Sequence, residues 1–181
     1  MEYKVNKSVC ERYDFRFDQW GWAKITIDER DGMFSAQSDY GTYAYSWPHH
    51  GRKSFKHFLI EIARDSHYFL KKVSSRTHFD YYKHLKKWKK AIIEARRAGE
   101  CSTNEAREAW QFLEGLDDYS GSADAVMFRI YESSELQAVG GDEFWYTFDV
   151  DKDYPPDAIN FVNIVMPALA DVLQKEIGVQ P

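Results

Sequence analysis

From residue 13 to residue 47 the chain alternates between apolar and polar positions. Asp14-Phe15-Arg16-Phe17-Asp18 and Ala23-Lys24-Ile25-Thr26-Ile27-Asp28 change character at nearly every step. A period of two buries one face of a strand and wets the other. Glu29-Arg30-Asp31-Gly32 comes next, and Asp-Gly is a strong hairpin-turn signal. Met33 to Ser38 reads as the return strand, and Asp39-Tyr40-Gly41 as a second turn. Thr42 to Trp47 alternates again, with Tyr43, Tyr45 and Trp47 on one face, until Pro48 removes a ladder donor. The pattern predicts an antiparallel meander of three or four strands.

Beyond it the period lengthens to that of a helix. Ser54 is placed to cap a helix carrying Phe55, Phe58, Leu59 and Ile62, the spacing of a core-facing stripe. A weaker helical segment covers 67–73. Thr77-His78-Phe79-Asp80 reads as a capping box opening the longest helix, 78–98, with Gly99 as its stop. Ser102-Thr103-Asn104-Glu105 is a second capping box, opening 103–116. Residues 123–138 suit a helix, although Val126, Phe128, Ile130 and Tyr131 leave a strand open. Phe144 to Val150 has strand composition. Pro155-Pro156-Asp157 starts a last helix reaching Ile177, in which Pro167 should force a kink or a break. The expected class is α+β: an N-terminal antiparallel β-meander packed by helices, then a mostly helical C-terminal part. At 181 residues a single domain, 1–181, is the natural reading, with sub-parts at 1–75 and 76–181.

Charge changes that picture from a fold to a surface. Residues 51–100 hold 14 Lys and Arg against 5 Asp and Glu, whereas residues 101–181 hold 4 against 16. On the wheel of helix 78–98, Tyr81, Leu85, Trp88, Ile92 and Ala95 share one face. Lys83, Lys86, Lys87, Lys90 and Arg97 form a cationic ridge opposite, interrupted by Glu94. Such a ridge suits phosphates or an acidic protein surface. In the acidic half Asp142, Glu143, Asp149, Asp151 and Asp153 form a carboxylate face able to imitate a nucleic-acid backbone. Either set is equally suited to keeping the chain solvated.

Candidate chemistry adds little. Asp149-Val150-Asp151-Lys152-Asp153 has the spacing of a calcium-loop start, but Tyr154 stands where that loop needs Gly and Asn160 where it needs Glu. None of the six histidines sits in a metal-ligand or triad spacing, and His49-His50 reads as a polar loop. No cofactor and no metal site is predicted. Cys10 and Cys101, far apart and outside any CxxC, fit a reducing compartment. The start of the chain has no apolar leader and no run approaches 18 apolar residues, so the expectation is a host-cytosol protein without a membrane partner. Aromatics make up 17% of the chain. Those around Trp20-Gly21-Trp22 and Tyr40 to Trp47 suit core packing better than base stacking, because few cations stand between them.

Phe17-Asp18-Gln19-Trp20-Gly21-Trp22-Ala23-Lys24-Ile25-Thr26-Ile27-Asp28, then Gln37-Ser38-Asp39-Tyr40-Gly41 and Tyr43-Ala44-Tyr45-Ser46-Trp47-Pro48, resemble a family of small uncharacterised phage and prophage proteins. Its shared pattern is W-G-W-A-x-x-T-I-D, Q-S-D-[WY]-G and a closing W-P. The resemblance covers residues 13–75. It implies a phage accessory protein, with no activity to carry over. The reading of function is therefore a non-enzymatic protein that binds and blocks a host protein or nucleoprotein machine, such as a CRISPR–Cas or restriction effector. Direct DNA or RNA binding through helix 78–98 is the alternative. A homo-oligomeric assembly protein is a second.

Overall fold

The structure is a computed structural model and describes residues 1–18 and 21–178. The chain divides into two compact units, residues 1–76 together with the chain from 154 on, and residues 77–153.

The first unit is built on the meander. β1 (Glu11–Phe17), β2 (Gly21–Asp28), β3 (Met33–Ser38) and β4 (Gly41–Ser46) pair antiparallel in chain order. The register sets Tyr13 opposite Ile25 and Ile27 opposite Phe34, so one face is continuously apolar. The β2–β3 turn is built by Asp28, whose carboxylate accepts the N–H groups of Arg30 at 3.0 Å and Asp31 at 3.3 Å. Gly32 follows at φ 63°, where a Cβ would lie 2.3 Å from the Trp47 carbonyl oxygen, so only glycine closes this turn. Trp22 alternates away from the core, with the Lys24 ammonium 5.8 Å from its ring. Its neighbour Trp20 lies outside the described residues.

Helices cover the apolar face. α1 (Phe55–Ile62) is capped by Ser54 and buries Phe55, Phe58, Leu59 and Ile62, the predicted stripe. α2 (Ser66–Val73) is capped by Asp65. The chain's last helical run returns to this unit. α8 (Pro156–Asn160), a π-helical turn at Phe161–Val165 and α9 (Met166–Ile177) are continuous. The expected disturbance at Pro167 takes the form of that π turn. A proline lacks the N–H for the ladder and its ring crowds the preceding turn, and a wider turn relieves both. The run of 22 residues, Pro156–Ile177, is long and apolar enough to cross a membrane by length and composition. Here its apolar side, from Phe161 to Leu173, fills the core against Tyr43, Phe69 and Leu59.

The second unit is helical: α3 (Tyr81–Ala98), α4 (Thr103–Glu114), α5 (Ala123–Tyr131), α6 (Ser134–Gly140) and α7 (Phe144–Thr147). Its core gathers Tyr81, Trp88, Ile92, Leu113, Val126, Ile130, Leu136 and Phe148. The Ser102–Glu105 capping box closes in both directions. Three expectations are corrected. The long helix starts at Tyr81 rather than 78, because Asp80 accepts the Lys83 N–H at 3.0 Å and is the cap. Residues 123–138 form two helices, since Ser133 caps a new one. Phe144 to Val150, strand-like in composition, opens instead as the one-turn helix α7, its Phe144 and Phe148 buried in the helical core. Burial on a helix decided what propensity suggested otherwise.

Candidate functional site

The cationic helix α3 gains its exposed face from how its other face is held. Tyr81, His84, Trp88 and Ile92 are buried, and each polar atom among them is satisfied. The Tyr81 hydroxyl donates to the Leu113 carbonyl at 2.9 Å. Burial, followed by the nearby Asp117 charge, pushes the Tyr81 hydroxyl up to about 12. Trp88 Nε1 donates to the Asp149 carbonyl at 3.1 Å, and His84 Nε2 accepts the Asp151 N–H at 3.1 Å. Since that nitrogen accepts, His84 Nδ1 carries the proton it donates to the Asp80 carbonyl at 2.7 Å. Asp153 and His78 exchange backbone hydrogen bonds at 2.8 and 2.9 Å. Residues 149–153 thus form a strap, anchored to α3 through 149 and 151 and to His78, just ahead of it, through 153.

The strap decides the fate of half the charged residues singled out by sequence. Anchored through its backbone, it presents Asp149, Asp151 and Asp153 to the ridge. Lys87 pairs with Asp149 and, at 3.9 Å, with Asp151, while Lys83 lies 3.7 Å from Asp153. The ridge and the carboxylate face are therefore, at this end, one patch neutralised within the unit. Asp142 and Glu143 stand apart, exposed on the turn between α6 and α7.

The other end of the ridge differs. Lys86 and Arg97 have no ion pair among the described residues, and Lys90 has only Glu94, one turn on, at 3.4 Å. Beside Lys86 and Lys90 lies a feature that the helical wheel missed. Tyr82, Leu85, Lys86, Lys89, Lys90 and Ile93 of α3 and Trp110 of α4 line a shallow, open hollow of about 390 Å³. Lys89 forms its back wall, with its ammonium 4.4 Å from the centre of the Trp110 ring and 2.8 Å from Glu114. Glu114 also accepts from Trp110 Nε1 at 2.9 Å, and the Lys89 bond, then the Trp110 bond, hold its carboxyl below the ordinary range. Tyr82 donates to Asp117 at 3.2 Å, a bond that raises its hydroxyl. An apolar floor with cations on its rim suits an apolar anchor flanked by carboxylates. The missed residues were legible only in part: Lys89 lies on the flank of the wheel, and nothing local links Trp110 to α3.

A second depression of about 550 Å³ runs between α3 and α6, lined by Ala91, Ala95, Ala98, Ala138 and Gly140, with Glu94 and Glu100 at its edge. Among the described residues, no group of three His, Cys, Asp or Glu side chains is placed to hold a metal ion. That includes Asp149, Asp151 and Asp153, whose carboxylates face lysines.

A family model described as a phage family, Phage_phiTE_072, matches residues 3–175. The chain belongs to that phage family. The match reaches well past residue 75, where the motif resemblance stopped, and takes in α3, the strap and the hollow. No curated protein and no solved structure matches the chain.

Proposed function

We propose that this phage protein acts by binding. It docks on an acidic surface of a host protein or nucleoprotein machine, and its effect is to block that machine, as an anti-defence factor against a CRISPR–Cas or restriction effector would. The observation that carries the reading is the asymmetry of α3. Lys83 and Lys87 are matched by the strap, whereas Lys86, Lys90 and Arg97 have no carboxylate from another element paired with them among the described residues. Unmatched charge next to an apolar hollow supports recognition of a partner carrying the complementary set, and steers its approach. The mimicry of nucleic acid by Asp149, Asp151 and Asp153 is the weaker version, since those carboxylates already have lysine partners.

The test is affinity capture from host lysate with the wild-type chain and with Lys86→Glu/Lys90→Glu/Arg97→Glu, each with and without nuclease. The expected result is a partner held by the wild type, resistant to nuclease, released by salt and lost in the triple variant. Capture unaffected by the triple reversal removes α3 from the reading. Capture abolished by nuclease assigns the ridge to nucleic acid instead.

A further inference from the structure

The second unit carries, on another helix, the counterpart of its own hollow. α5 turns Met127, Phe128 and Tyr131 outward at 38%, 59% and 55% exposure. Spaced one, three and four residues apart, they make one stripe on the helix surface. Large apolar side chains grouped this way on a free surface mark an interaction site. The ends of the stripe are acidic: Asp124, which opens the helix, is paired with Lys152 at 2.9 Å, whereas Glu132, which ends it, is exposed and has no ion pair among the described residues. The one cation of the helix, Arg129, is turned onto the Tyr119 ring at 5.7 Å. The hollow is the inverse, an apolar floor of Leu85 and Ile93 below Trp110, rimmed by Lys86 and Lys90.

We propose that a second copy of this chain seats the Met127–Phe128–Tyr131 stripe of its α5 in the α3–α4 hollow. Phe128 enters the hollow, and Glu132, the unmatched carboxylate at the end of the stripe, faces Lys86 and Lys90. This is an amphipathic helix laid in a groove, read by its anchors one turn apart. Stripe against stripe is the poorer pairing, because it sets the acids of one copy against those of the other. Stripe into hollow joins unlike surfaces, so each copy offers one of each. The inference does not depend on host docking. If both hold, assembly and the host partner compete for Lys86 and Lys90.

The test is mass in solution by light scattering or sedimentation, over rising concentration and at low and high salt. The wild-type mass is expected to climb above the 21.3 kDa of one chain and to fall back as salt rises. Phe128→Asp removes the stripe and Ile93→Asp removes the hollow. Each should weaken association by more than about tenfold, with unchanged far-UV circular dichroism, since both side chains are exposed. Tyr131→Asp and Lys90→Glu serve in place of either variant that does not fold. The deciding measurement mixes the two single variants, because each keeps the surface the other has lost. A one-to-one complex from two chains that are separately monomeric supports the proposal. A wild type that stays at the mass of one chain overturns it, as do single variants that still assemble and a mixture that stays monomeric.

Discussion

The two units treat their polar and aromatic residues in opposite ways. In the first, one lysine is drawn into the framework. Lys56 of α1, with its side chain 13% exposed, bridges Glu11 of β1 at 2.7 Å and Glu176 of α9 at 2.9 Å. The Tyr13 hydroxyl stands within 2.6 and 2.9 Å of the same two carboxylates and donates its single proton to one of them at a time. In the second, charge and rings are turned outward. Tyr82, Ile93, Tyr119, Met127, Phe128, Tyr131, Trp145 and Tyr146 are its exposed large apolar residues, whereas past residue 10 the first unit exposes only Met33, Tyr45 and Ile164 among those described. The first unit hides most of its large apolar side chains, and the second leaves a group of them exposed. Such groups are where binding is found.

The comparison breaks first in the cores. Trp88→Ala in the second unit and Phe161→Ala in the first each remove a fully buried ring. Each is expected to cost about 3–5 kcal/mol, read as a shift in the urea midpoint. A much smaller loss from Trp88→Ala would show that the strap, which Trp88 anchors, does not need it.

Lys56→Met tests the inward charge. It leaves two carboxylates facing each other without their cation, at an expected cost of about 1–3 kcal/mol near neutral pH. Hydrogen bonds from Lys56 and then Tyr13 hold Glu11 below the ordinary carboxylate range. A lowered folded value contributes stability that is present above the ordinary glutamate value and lost as pH falls through the lowered one. For Lys56, burial opposes the charge, but hydrogen bonds to Glu11, Glu176 and Tyr13 together outweigh it and raise its value. That contribution is present below the ordinary lysine value and lost as pH rises through the raised one. The gap between wild type and Lys56→Met should therefore narrow at both acid and alkaline pH in a stability profile. A gap independent of pH would contradict the cluster.

Ser102→Ala removes one half of the α4 capping box and is expected to cost about 1 kcal/mol, measured by thermal melting. The smallest effect sharpens the comparison most. Lys83→Ala/Lys87→Ala loses exposed pairs to the strap, expected to total about 0.5–1 kcal/mol, and salt should shrink the difference. Lys86→Ala/Lys90→Ala, which loses only the exposed Lys90–Glu94 pair, should stay within about 0.5 kcal/mol of wild type. If the two double variants proved equal, the division of α3 into matched and unmatched ends would fail.

Much of this was readable beforehand wherever the cause is local. The meander of three or four strands followed from alternation, the β2–β3 turn from Asp31-Gly32, α1 from Ser54 and its stripe, and α4 from Ser102 and Glu105. Errors arose where a residue answered to a distant partner. His78 has a place in the helical spacing, but its backbone pairs with Asp153. Phe144 to Val150 has strand composition, but its rings are drawn into a helical core. The ridge was visible on the wheel, yet the wheel does not tell Lys87, which meets Asp149 across 62 residues, from Lys86, which pairs with no acid among the described residues.

What the sequence alone determined is what neighbours along the chain decide: periods of burial, caps, turns, and the segregation of basic from acidic halves. These depend on backbone geometry over a few residues, so composition and spacing suffice. Tertiary structure decided which charges remain available. The return of the last helix to the first unit, the 149–153 strap along α3 and the hollow walled by Trp110 all join residues far apart in sequence. Whether a charge is matched depends on what stands a few ångströms away in space, and residue order carries no direct record of that.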